Sequence, residues 1–399
     1  MRRISTSTKV VDKFGTGKHG FTNGNAVGGV ASTDLEDVWF DHVQEEIANV
    51  IEGSGAALDS SNRAQLLAAI QSLQSALVQA TAGSAGSTSF RNKLLNSAAQ
   101  VAIQTTSPTL STSPQYGPVE MVAGWASGGA ITAGTLTQDT AAPVGRSGKA
   151  VRFQSCTLTG AGQLSWRYRM EAGDAVNLKN QTVTFQIKVR HNVGSAINYT
   201  MVLRTPTAAD NFASVNVISS KTVAVASGTS QQLTFTVALG DCSNGLEIGV
   251  DAACGAVTTK DFWYAEWGLE EGATATQVEF RPMQIELAAC QRYYQADTFH
   301  CGGSPLASGS GSTAITANTT GLQGTKTLPV QMRAAPTLTF KDLVGNAGAY
   351  TVYNGSQTNN QGTSSGGLSA SATALDMDAL WPGYGATWCR VNYVLNARL

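Results

Sequence analysis

Residues 183–189 read Val-Thr-Phe-Gln-Ile-Lys-Val, and this short stretch decides the fold class. Apolar and polar side chains alternate along it, so Val183, Phe185, Ile187 and Val189 lie on one face of an extended chain. A strand with a single apolar face must cover that face with another layer of structure. The stretch therefore predicts a β-strand in a sheet that is buried on one side and polar on the other.

The same period of two recurs in other short segments, each bounded by Gly, Asn, Asp or Ser. The alternating apolar residues are Val151 and Phe153; Leu164, Trp166, Tyr168 and Met170; Tyr199, Met201 and Leu203; and Leu233, Phe235, Val237 and Leu239. Regularly spaced short strands are typical of a β-sandwich or barrel. We predict such a body over residues 95–295, with Trp166 and Tyr168 in its core.

The chain closes with a second set of alternating segments. Their apolar residues are Leu338 and Phe340; Tyr350 and Val352; Leu368, Ala370 and Ala372; and Cys389, Val391, Tyr393 and Leu395. Apolar residues are sparse here, and a small β unit with a thin core needs neighbours to cover its edges. We predict a C-terminal β tip domain over residues 296–399 that is completed by other copies of the chain.

The beginning of the chain follows different patterns. Residues 1–33 are polar and glycine-rich, which predicts an extended arm that becomes ordered against a partner. Thr33 and Glu36 have the spacing of a capping box, and a helical period follows over residues 34–82. Residues 83–94 open with a run of Gly, Ser and Ala and are assigned to a flexible linker.

The second helix carries an apolar stripe. Leu66, Ile70, Leu73 and Leu77 advance by four, three and four residues, which is the spacing of a coiled-coil seam. Two heptads are too short to be stable alone, so the stripe needs partners. A trimeric bundle is our first interpretation, and an intramolecular hairpin of two helices is the alternative.

Several segments resemble bacteriophage tail-fibre proteins, in the order in which such fibres carry them. Residues 17–22 (GKHGFT), 41–52 (DHVQEEIANVIE) and 65–70 (QLLAAI) resemble the N-terminal attachment region. Residues 262–272 (FWYAEWGLEEG) resemble the last strands of a carbohydrate-binding-module-like jelly roll, and residues 285–295 resemble the junction that follows it. Residues 329–337 and 396–399 resemble the tip domain of these fibres. The stretch from about residue 95 to 260 matches no motif of the family.

The resemblance implies a homotrimeric fibre of the virion tail that is synthesised in the cytoplasm of a bacterial host. Its body would be a jelly-roll β-sandwich. Its N-terminus would dock to tail or baseplate proteins, and we assign this attachment to His19, Phe21, Trp39 and Phe40. Its distal β domains would bind a receptor on the host surface, a polysaccharide or lipopolysaccharide.

The composition argues against several other classes of protein. There are 26 Lys and Arg against 27 Asp and Glu, so the basic excess of a nucleic-acid-binding protein is absent. No apolar run approaches the roughly 20 residues that span a bilayer, and no secretory signal opens the chain, so we expect no membrane insertion. The six cysteines lack metal-like spacing, and we expect free, partly buried thiols with no metal and no cofactor.

The sequence offers little that indicates catalysis. Residues 362–366 (GTSSG) fit the G-x-S-x-G pattern but lie in a loop rather than between a strand and a helix. Acidic residues occur at positions 171, 174, 266, 270 and 271, and sequence cannot pair them across a cleft as a glycosidase requires. We expect no enzymatic activity. A polysaccharide depolymerase and a purely structural spacer of the tail are the alternatives.

The candidate ligand-binding residues lie near the C-terminus. Trp381, Tyr384 and Trp388 occur in or beside a loop rich in Pro and Gly, after Asp376 and Asp378. Aromatic rings can stack on the apolar face of a sugar while polar neighbours bind its hydroxyl groups. Rings on loops are good candidates for such contacts. A role in packing or at a trimer interface is the alternative for the same rings.

Overall fold

The computed structural model describes residues 3–84, 90–302, 321–353, 356–363, 365–380 and 388–399. The chain divides into two compact units, Met1–Ser89 and Phe90–Leu399. The first contains two helices and the second contains antiparallel sheets. The prediction of a mainly β protein with a short N-terminal helical segment is confirmed.

Residues 3–36 are folded on themselves by local hydrogen bonds. Antiparallel bridges join Val10 to Gly20 and Asn25 to Val30. The Thr33 hydroxyl accepts a hydrogen bond from the Thr22 N–H at 2.9 Å, and the Glu36 carboxylate accepts one from the Ser5 N–H at 3.1 Å. The capping-box prediction is therefore wrong. Both side chains bind the N-terminal segment instead of the helix, which starts at residue 37 with no side-chain cap.

The two helices are α1 (Asp37–Gly53) and α2 (Gln65–Ser84), and they contact each other. Ile51 and Ala69 are buried, with 6 % and 3 % of their surface exposed. Ala69 lies about 60° around the helix from the centre of the predicted seam. Leu66 is half-buried, whereas Ile70 and Leu73 remain 49 % and 40 % exposed. The contact between the helices thus leaves most of the stripe uncovered, and the side chain of Leu77 lies outside the described residues.

The body of the second unit is built from eleven strands. They are β1 (Gln115–Tyr116), β2 (Val122–Ser127), β3 (Ile131–Asp139), β4 (Ala150–Leu158), β5 (Gln163–Met170), β6 (Thr182–His191), β7 (Ile197–Ala208), β8 (Asn211–Val225), β9 (Gln231–Ala238), β10 (Leu246–Ala253) and β11 (Val257–Glu271). A six-stranded sheet has the order β1-β2-β5-β10-β7-β8, and a five-stranded sheet has the order β3-β4-β11-β6-β9. The chain passes repeatedly from one sheet to the other, which is consistent with the jelly-roll sandwich that was expected.

The core of the sandwich lies between these two sheets and is rich in aromatic side chains. Trp166 is fully buried, and its ring lies 6.3 Å from Tyr264 and 5.6 Å from Trp267. All the alternating apolar residues predicted for the body are buried. The assignment of Trp166 and Tyr168 to the core is confirmed, because the period of two places both rings on the inner face of β5.

Segment 90–94, which was assigned to the linker, packs against the body. Leu94 is fully buried, and the Asn92 side chain donates a hydrogen bond to the Trp267 carbonyl at 3.2 Å.

A short helix, α3 (Ala172–Ala175), and a single 3₁₀ turn (Val176–Leu178) follow β5. A longer helix, α4 (Met283–Gln291), connects the body to the last part of the chain.

The distal domain, residues 294–399, is a second and smaller sandwich. Its strands are β12 (Tyr294–Gly302), β13 (Gly321–Thr327), β14 (Thr337–Lys341), β15 (Tyr350–Tyr353), β16 (Gln357–Gln361), β17 (Ser365–Ala370), β18 (Ala374–Leu380) and β19 (Trp388–Asn396). The distal sheet has the order β12-β19-β15-β16, with β14 also paired to β19, and the small sheet has the order β13-β18-β17. Leu375, Met377, Val391 and Tyr393 are buried between the two sheets.

Among the described residues, two ion pairs join the distal domain to the body, and a third joins the end of α4 to the body. The Arg398 guanidinium binds the carboxylate of Glu120, and both side chains are almost fully buried. Arg333 lies 2.9 Å from Asp210, and Arg292 lies 2.9 Å from Glu171. The distal domain therefore has both a core of its own and an anchored base.

All six cysteines are buried and free. Cys301 and Cys389 lie opposite each other on β12 and β19, with both side chains in the core of the distal domain. Within the described residues, no helix is long and apolar enough to cross a membrane.

Candidate functional site

The outer face of the distal sheet is the surface where ring and charged side chains converge. Along β19, Cys389, Val391 and Tyr393 point into the core. The period of two then places Trp388, Arg390 and Asn392 on the opposite, outward face. Directly paired residues of antiparallel strands share a face, so the neighbours of this row on β12, β14 and β15 also point outward.

Two aromatic rings on this face are stacked against each other, and we call this pair the aromatic platform (Tyr353 and Trp388). The two residues are directly paired across β15 and β19. Their rings are parallel, with centroids 5.1 Å apart and an interplanar angle of 3°. The His300 ring meets Trp388 edge-on at 5.8 Å, and the Arg390 guanidinium lies 5.1 Å from the centre of the Trp388 ring. These contacts hold the Trp388 ring in one orientation.

A cleft of about 570 Å³ lies farther along β19, beside Asn392. On the sheet side it is lined by Thr298, Lys341 and Asn392, and the Thr298 hydroxyl donates a hydrogen bond to the Asn392 side chain at 2.7 Å. Residues 103–106 of the body and residues 342–345 form its other walls. Asn392 is four residues from Trp388, which corresponds to about 13 Å along a strand.

The charges around this face are arranged unevenly. The Asp342 carboxylate accepts backbone N–H groups of Val344 at 3.0 Å, Asn346 at 2.8 Å and Asn360 at 2.7 Å. Burial, together with the positive charge of Arg390, lowers the pKa of His300, which keeps this ring neutral near pH 7. Asp297 also lines the cleft, and its carboxylate is paired with Lys326 at 2.6 Å. The positive charge on this face comes from Lys341 and Arg390 rather than from histidine.

The structure separates the ligand-binding residues that were predicted together. Trp388 is part of the aromatic platform, whereas Asp376 and Asp378 lie on β18 of the small sheet. Their neighbours Leu375 and Met377 point into the core, so both carboxylates face outward on the opposite side of the domain. Asp376 accepts a hydrogen bond from the Thr325 hydroxyl at 2.7 Å. Trp381 and Tyr384 lie outside the described residues.

Three residues of this face were missed by sequence reasoning, namely Tyr353, Arg390 and Lys341. The signal that could have found them is the outward phase of strands whose inward phase was recognised. Tyr353 follows Val352 and Arg390 follows Cys389, and both neighbours are core residues. Nothing in the sequence shows that these strands are adjacent, and this adjacency brings the three side chains together.

The N-terminal unit contains a second cavity, the N-terminal pocket, with a volume of about 440 Å³. Among its lining residues are Ile4, Phe14, His19, Phe21 and Trp39. The Phe21 and Trp39 rings meet edge to face at 5.1 Å. The Asp12 N–H donates a hydrogen bond to the His19 ring at 3.2 Å, which holds the loop in place.

The four predicted attachment residues are gathered at this pocket. His19, Phe21 and Trp39 line it, and the Phe40 ring packs edge to face against Trp39 at 5.1 Å. Phe40 is 48 % exposed, and Phe14 at the rim of the pocket is 66 % exposed. Exposed aromatic rings beside a preformed cavity are typical of surfaces that bind another protein.

Glu171, Glu266 and Glu270, three of the acidic residues that sequence could not place, are engaged in structural contacts. Glu171 accepts hydrogen bonds from Arg292 and Tyr293, and Glu266 forms an ion pair with Lys188 at 2.7 Å. Glu270 accepts a hydrogen bond from the Gln186 side chain at 3.1 Å. Within the described residues, no group of three or more His, Cys, Asp or Glu side chains is placed to hold a metal ion.

The G-x-S-x-G segment has no nucleophile-elbow context. Residues 365–370 after its serine form β17, whereas the motif requires a helix at this point. Ser364 itself lies outside the described residues.

Comparison with known sequences gives one partial relative. No protein-family model matches the chain. An uncharacterized protein, StfP, of Escherichia coli strain K12 is 51 % identical over 73 residues. The match covers 18 % of this chain and 35 % of StfP, so the chain spans about a third of the length of that relative.

Comparison with solved structures gives carbohydrate-binding modules at low overall similarity. A CBM4 module is 12 % identical, covers 38 % of this chain and 87 % of its own, and has a TM-score of 0.25. TmCBM61 in complex with β-1,4-galactotriose is 10 % identical, covers 46 % of this chain and 99 % of its own, and has a TM-score of 0.27. Similarities at this level carry no argument about this chain. Its function must be inferred from the geometry of the distal sheet and of the N-terminal pocket.

Proposed function

We propose that this protein is a non-enzymatic attachment protein of the bacteriophage tail-fibre type, which binds a glycan of the host surface through the outer face of its distal sheet. The observation that carries the proposal is the aromatic platform, two stacked rings 5.1 Å apart on the same sheet face as the polar residues Thr298 and Asn392 of the cleft. An apolar plane beside hydrogen-bonding groups matches the two surfaces of a pyranose.

The cleft would supply the polar groups that bind the hydroxyl groups of the sugar. Thr298 and Asn392 are exposed on the sheet and line the cleft. Hydroxyl and amide groups both donate and accept hydrogen bonds, which suits the hydroxyl groups of a sugar. The length from Trp388 to Asn392 would allow several linked sugars to bind along β19.

The N-terminal pocket would attach the fibre to the tail or baseplate. Phe14 and Phe40 expose much of their rings in the described chain, and burying such surface against a partner gains about 25 cal/mol per Å². The resemblance of residues 17–22 and 41–52 to the attachment region of tail fibres supports the same role.

Homotrimer formation would cover the stripe on α2. Ile70 and Leu73 are 49 % and 40 % exposed in a single chain, and a bundle of three α2 helices would bury both. A trimer would also present three distal faces at once. Linked weak sites can raise the overall affinity by about 10² or more without any new contact.

Cell binding by the full-length protein tests the proposal. Fluorescently labelled protein is incubated with a panel of enterobacterial strains that includes Escherichia coli, and binding is read by flow cytometry. On a strain that the wild type binds, Trp388→Ala should lower the apparent affinity at least about tenfold, because loss of a stacked ring costs about 1.4 kcal/mol or more at each site. Circular dichroism confirms that the variant is folded.

Trp125→Ala is the matched control. Trp125 is a half-exposed tryptophan on β2 of the body, where it stacks on the Arg167 guanidinium at 4.8 Å. The proposal predicts that this variant binds cells like the wild type. Loss of binding in Trp125→Ala with normal binding in Trp388→Ala would place the receptor site on the body and contradict the proposal. Absence of wild-type binding to every strain would favour a structural spacer.

A further inference from the structure

The distal domain carries few charged residues, so each can be traced. Its acidic residues are Asp297, Asp342, Asp376 and Asp378, and its basic residues are Lys326, Arg333, Lys341, Arg390 and Arg398. Three of the bases have carboxylate partners: Lys326 pairs with Asp297 at 2.6 Å, Arg333 pairs with Asp210 and Arg398 pairs with Glu120. Two bases, Lys341 and Arg390, remain to be explained.

Lys341 and Arg390 lack a carboxylate partner within the described part of the chain. Neither takes part in an ion pair there, and the Arg390 guanidinium lies over the Trp388 ring. The remaining segments of the domain contain no acidic or basic residue that could serve as a partner; they are residues 303–320, 354–355, 364 and 381–387. A positive charge without a partner on a binding face indicates a ligand of opposite sign.

The two bases lie in register with the aromatic platform. Lys341 pairs with Asn392, Arg390 pairs with His300 and Trp388 pairs with Tyr353. These three pairs form successive rows on the outer face, about 7 Å apart along β19. One ligand that crosses the rows would therefore meet rings first, then a guanidinium, and then the cleft with its ammonium group.

We infer that the glycan bound on this face is anionic, with carboxylate or phosphate groups that pair with Arg390 and Lys341 while its sugar rings stack on the aromatic platform. This inference rests on the proposed function and adds the chemical class of the ligand. A polyuronate and a phosphorylated polysaccharide or lipopolysaccharide core are the two sources of such anions.

Arg390 is suited to this contact by its environment. Its planar guanidinium is held against the Trp388 ring, so little side-chain entropy is lost when it binds an anion. The contact with the Trp388 ring leaves the N–H groups at the edge of the guanidinium available. These groups can bind a carboxylate or phosphate in a bidentate manner. Lys341 is exposed and supplies a second, less directional positive charge.

The acidic residues of the domain do not oppose an anion at this face. The Asp342 carboxylate is buried and accepts several N–H groups, and Asp297 is paired with Lys326. Asp376 and Asp378 lie on the outer face of the small sheet, on the opposite side of the core. An anionic glycan is thus attracted to one side of the domain and repelled from the other.

Binding of full-length protein to three immobilised polysaccharides tests the inference, with biolayer interferometry as the readout. The probes are alginate, which carries carboxylates, phosphomannan, which carries phosphates, and neutral dextran. We expect the wild type to bind alginate or phosphomannan at least about tenfold more tightly than dextran, since charge-assisted hydrogen bonds are the stronger ones. Preference for alginate or for phosphomannan identifies which anion is recognised.

Charge-neutral variants separate site binding from general electrostatics. Arg390→Gln combined with Lys341→Gln should reduce binding to the preferred anionic probe at least about tenfold, and Trp388→Ala should reduce it as well. Arg190→Gln removes one positive charge from β6 in the body, as Arg390→Gln alone does from the distal sheet, and should leave binding unchanged. Asp376→Asn with Asp378→Asn should leave it unchanged or slightly stronger.

Three results would overturn the inference. One is dextran binding as tight as binding to the anionic probes, and another is unchanged binding in the double arginine and lysine variant. The third is equal loss in Arg190→Gln, which would indicate attraction by overall charge. If cell binding still depends on Trp388 in these cases, the proposed function stands with a neutral glycan. If no cell binding depends on Trp388, the proposed function fails together with the inference.

Discussion

Arg167 shows how a charged residue is accommodated in a sheet face of this protein. Its guanidinium lies 2.7 Å from Asp251 and 3.5 Å from Glu247, with only 4 % of the side chain exposed. Gly249 on the neighbouring strand makes this possible, because a Cβ there would lie 2.7 Å from the Arg167 guanidinium. Charged groups that are buried in this way are stable only when each keeps its partners of opposite charge.

Arg167→Met should destabilise the protein by about 3 kcal/mol, because it leaves Asp251 and Glu247 buried with fewer partners. Chemical denaturation followed by tryptophan fluorescence measures the change. Arg190→Met is the control, since Arg190 is half-buried on β6 and belongs to no such network, and it should change stability by less than about 0.5 kcal/mol. Equal effects of the two substitutions would argue against a structural role for the network.

The residues of the proposed glycan site show how little single positions in the sequence reveal. Trp388 could be singled out because it is a large ring beside a Pro and Gly loop. Arg390 and Lys341 could not, since an arginine and a lysine in exposed strand phases are ordinary surface residues. Whether such a base can pair with a ligand depends on which carboxylates lie near it in the fold. The sequence does not contain that information.

At the scale of elements, the alternation of apolar and polar residues correctly predicted which strand residues are buried. The sequence does not show which strands belong to the same sheet. The inward residues predicted for β4, β5, β6, β7 and β9 are buried. The grouping of Asp376 and Asp378 with Trp388 relied on proximity in sequence. β18 and β19 belong to different sheets, so residues ten or twelve positions apart face opposite sides of the domain.

The stripe on α2 leads to a prediction about assembly. The proposed trimer would bury Ile70 and Leu73, so Ile70→Asn with Leu73→Asn should convert it to monomers, because polar residues at seam positions weaken a short bundle strongly. Light scattering or native mass spectrometry gives the mass. Leu67→Asn is the matched control, since Leu67 is 61 % exposed and lies about 90° around the helix from the seam.

Two results would contradict the proposal that the α2 stripe forms a trimer. A wild-type protein that is monomeric at micromolar concentration would contradict the trimer. A trimer that survives the Ile70→Asn and Leu73→Asn substitutions would show that the subunits associate through other surfaces.

At the scale of the whole second unit, the body and the distal domain are held as one by charged residues from the end of the chain. Arg398 reaches Glu120 and also donates a hydrogen bond to Gln104 at 3.1 Å. The terminal segment thereby braces the wall of the cleft that contains Gln104. Such contacts between residues nearly 300 positions apart cannot be foreseen from sequence, whereas the existence of two β domains could.

Removal of Arg398 should make stability depend more strongly on pH. Burial raises the pKa of Glu120, and the ion pair with Arg398 opposes this rise. Without the arginine, the pKa should rise further, so the folded state would bind a proton that the unfolded state releases above about pH 4.5. Arg398→Gln should therefore be less stable than the wild type at pH 7, by about 2–4 kcal/mol, and should recover part of this loss near pH 5.

Thermal unfolding of Arg398→Gln between pH 5 and pH 8 checks this sign. Arg333→Gln serves as the control, because its partner Asp210 is partly exposed and needs less compensation. A loss of stability in Arg398→Gln that is the same at every pH would mean that Glu120 does not take up the proton.

The most direct measurement for the account as a whole is a crystal structure of the full-length protein with an oligosaccharide from a polysaccharide that it binds. The proposed site predicts a sugar ring in contact with Tyr353 and Trp388. It also predicts an anionic group within hydrogen-bond distance of Arg390. A sugar bound instead against Trp125 on the body, or on the small sheet near Asp376, would contradict it.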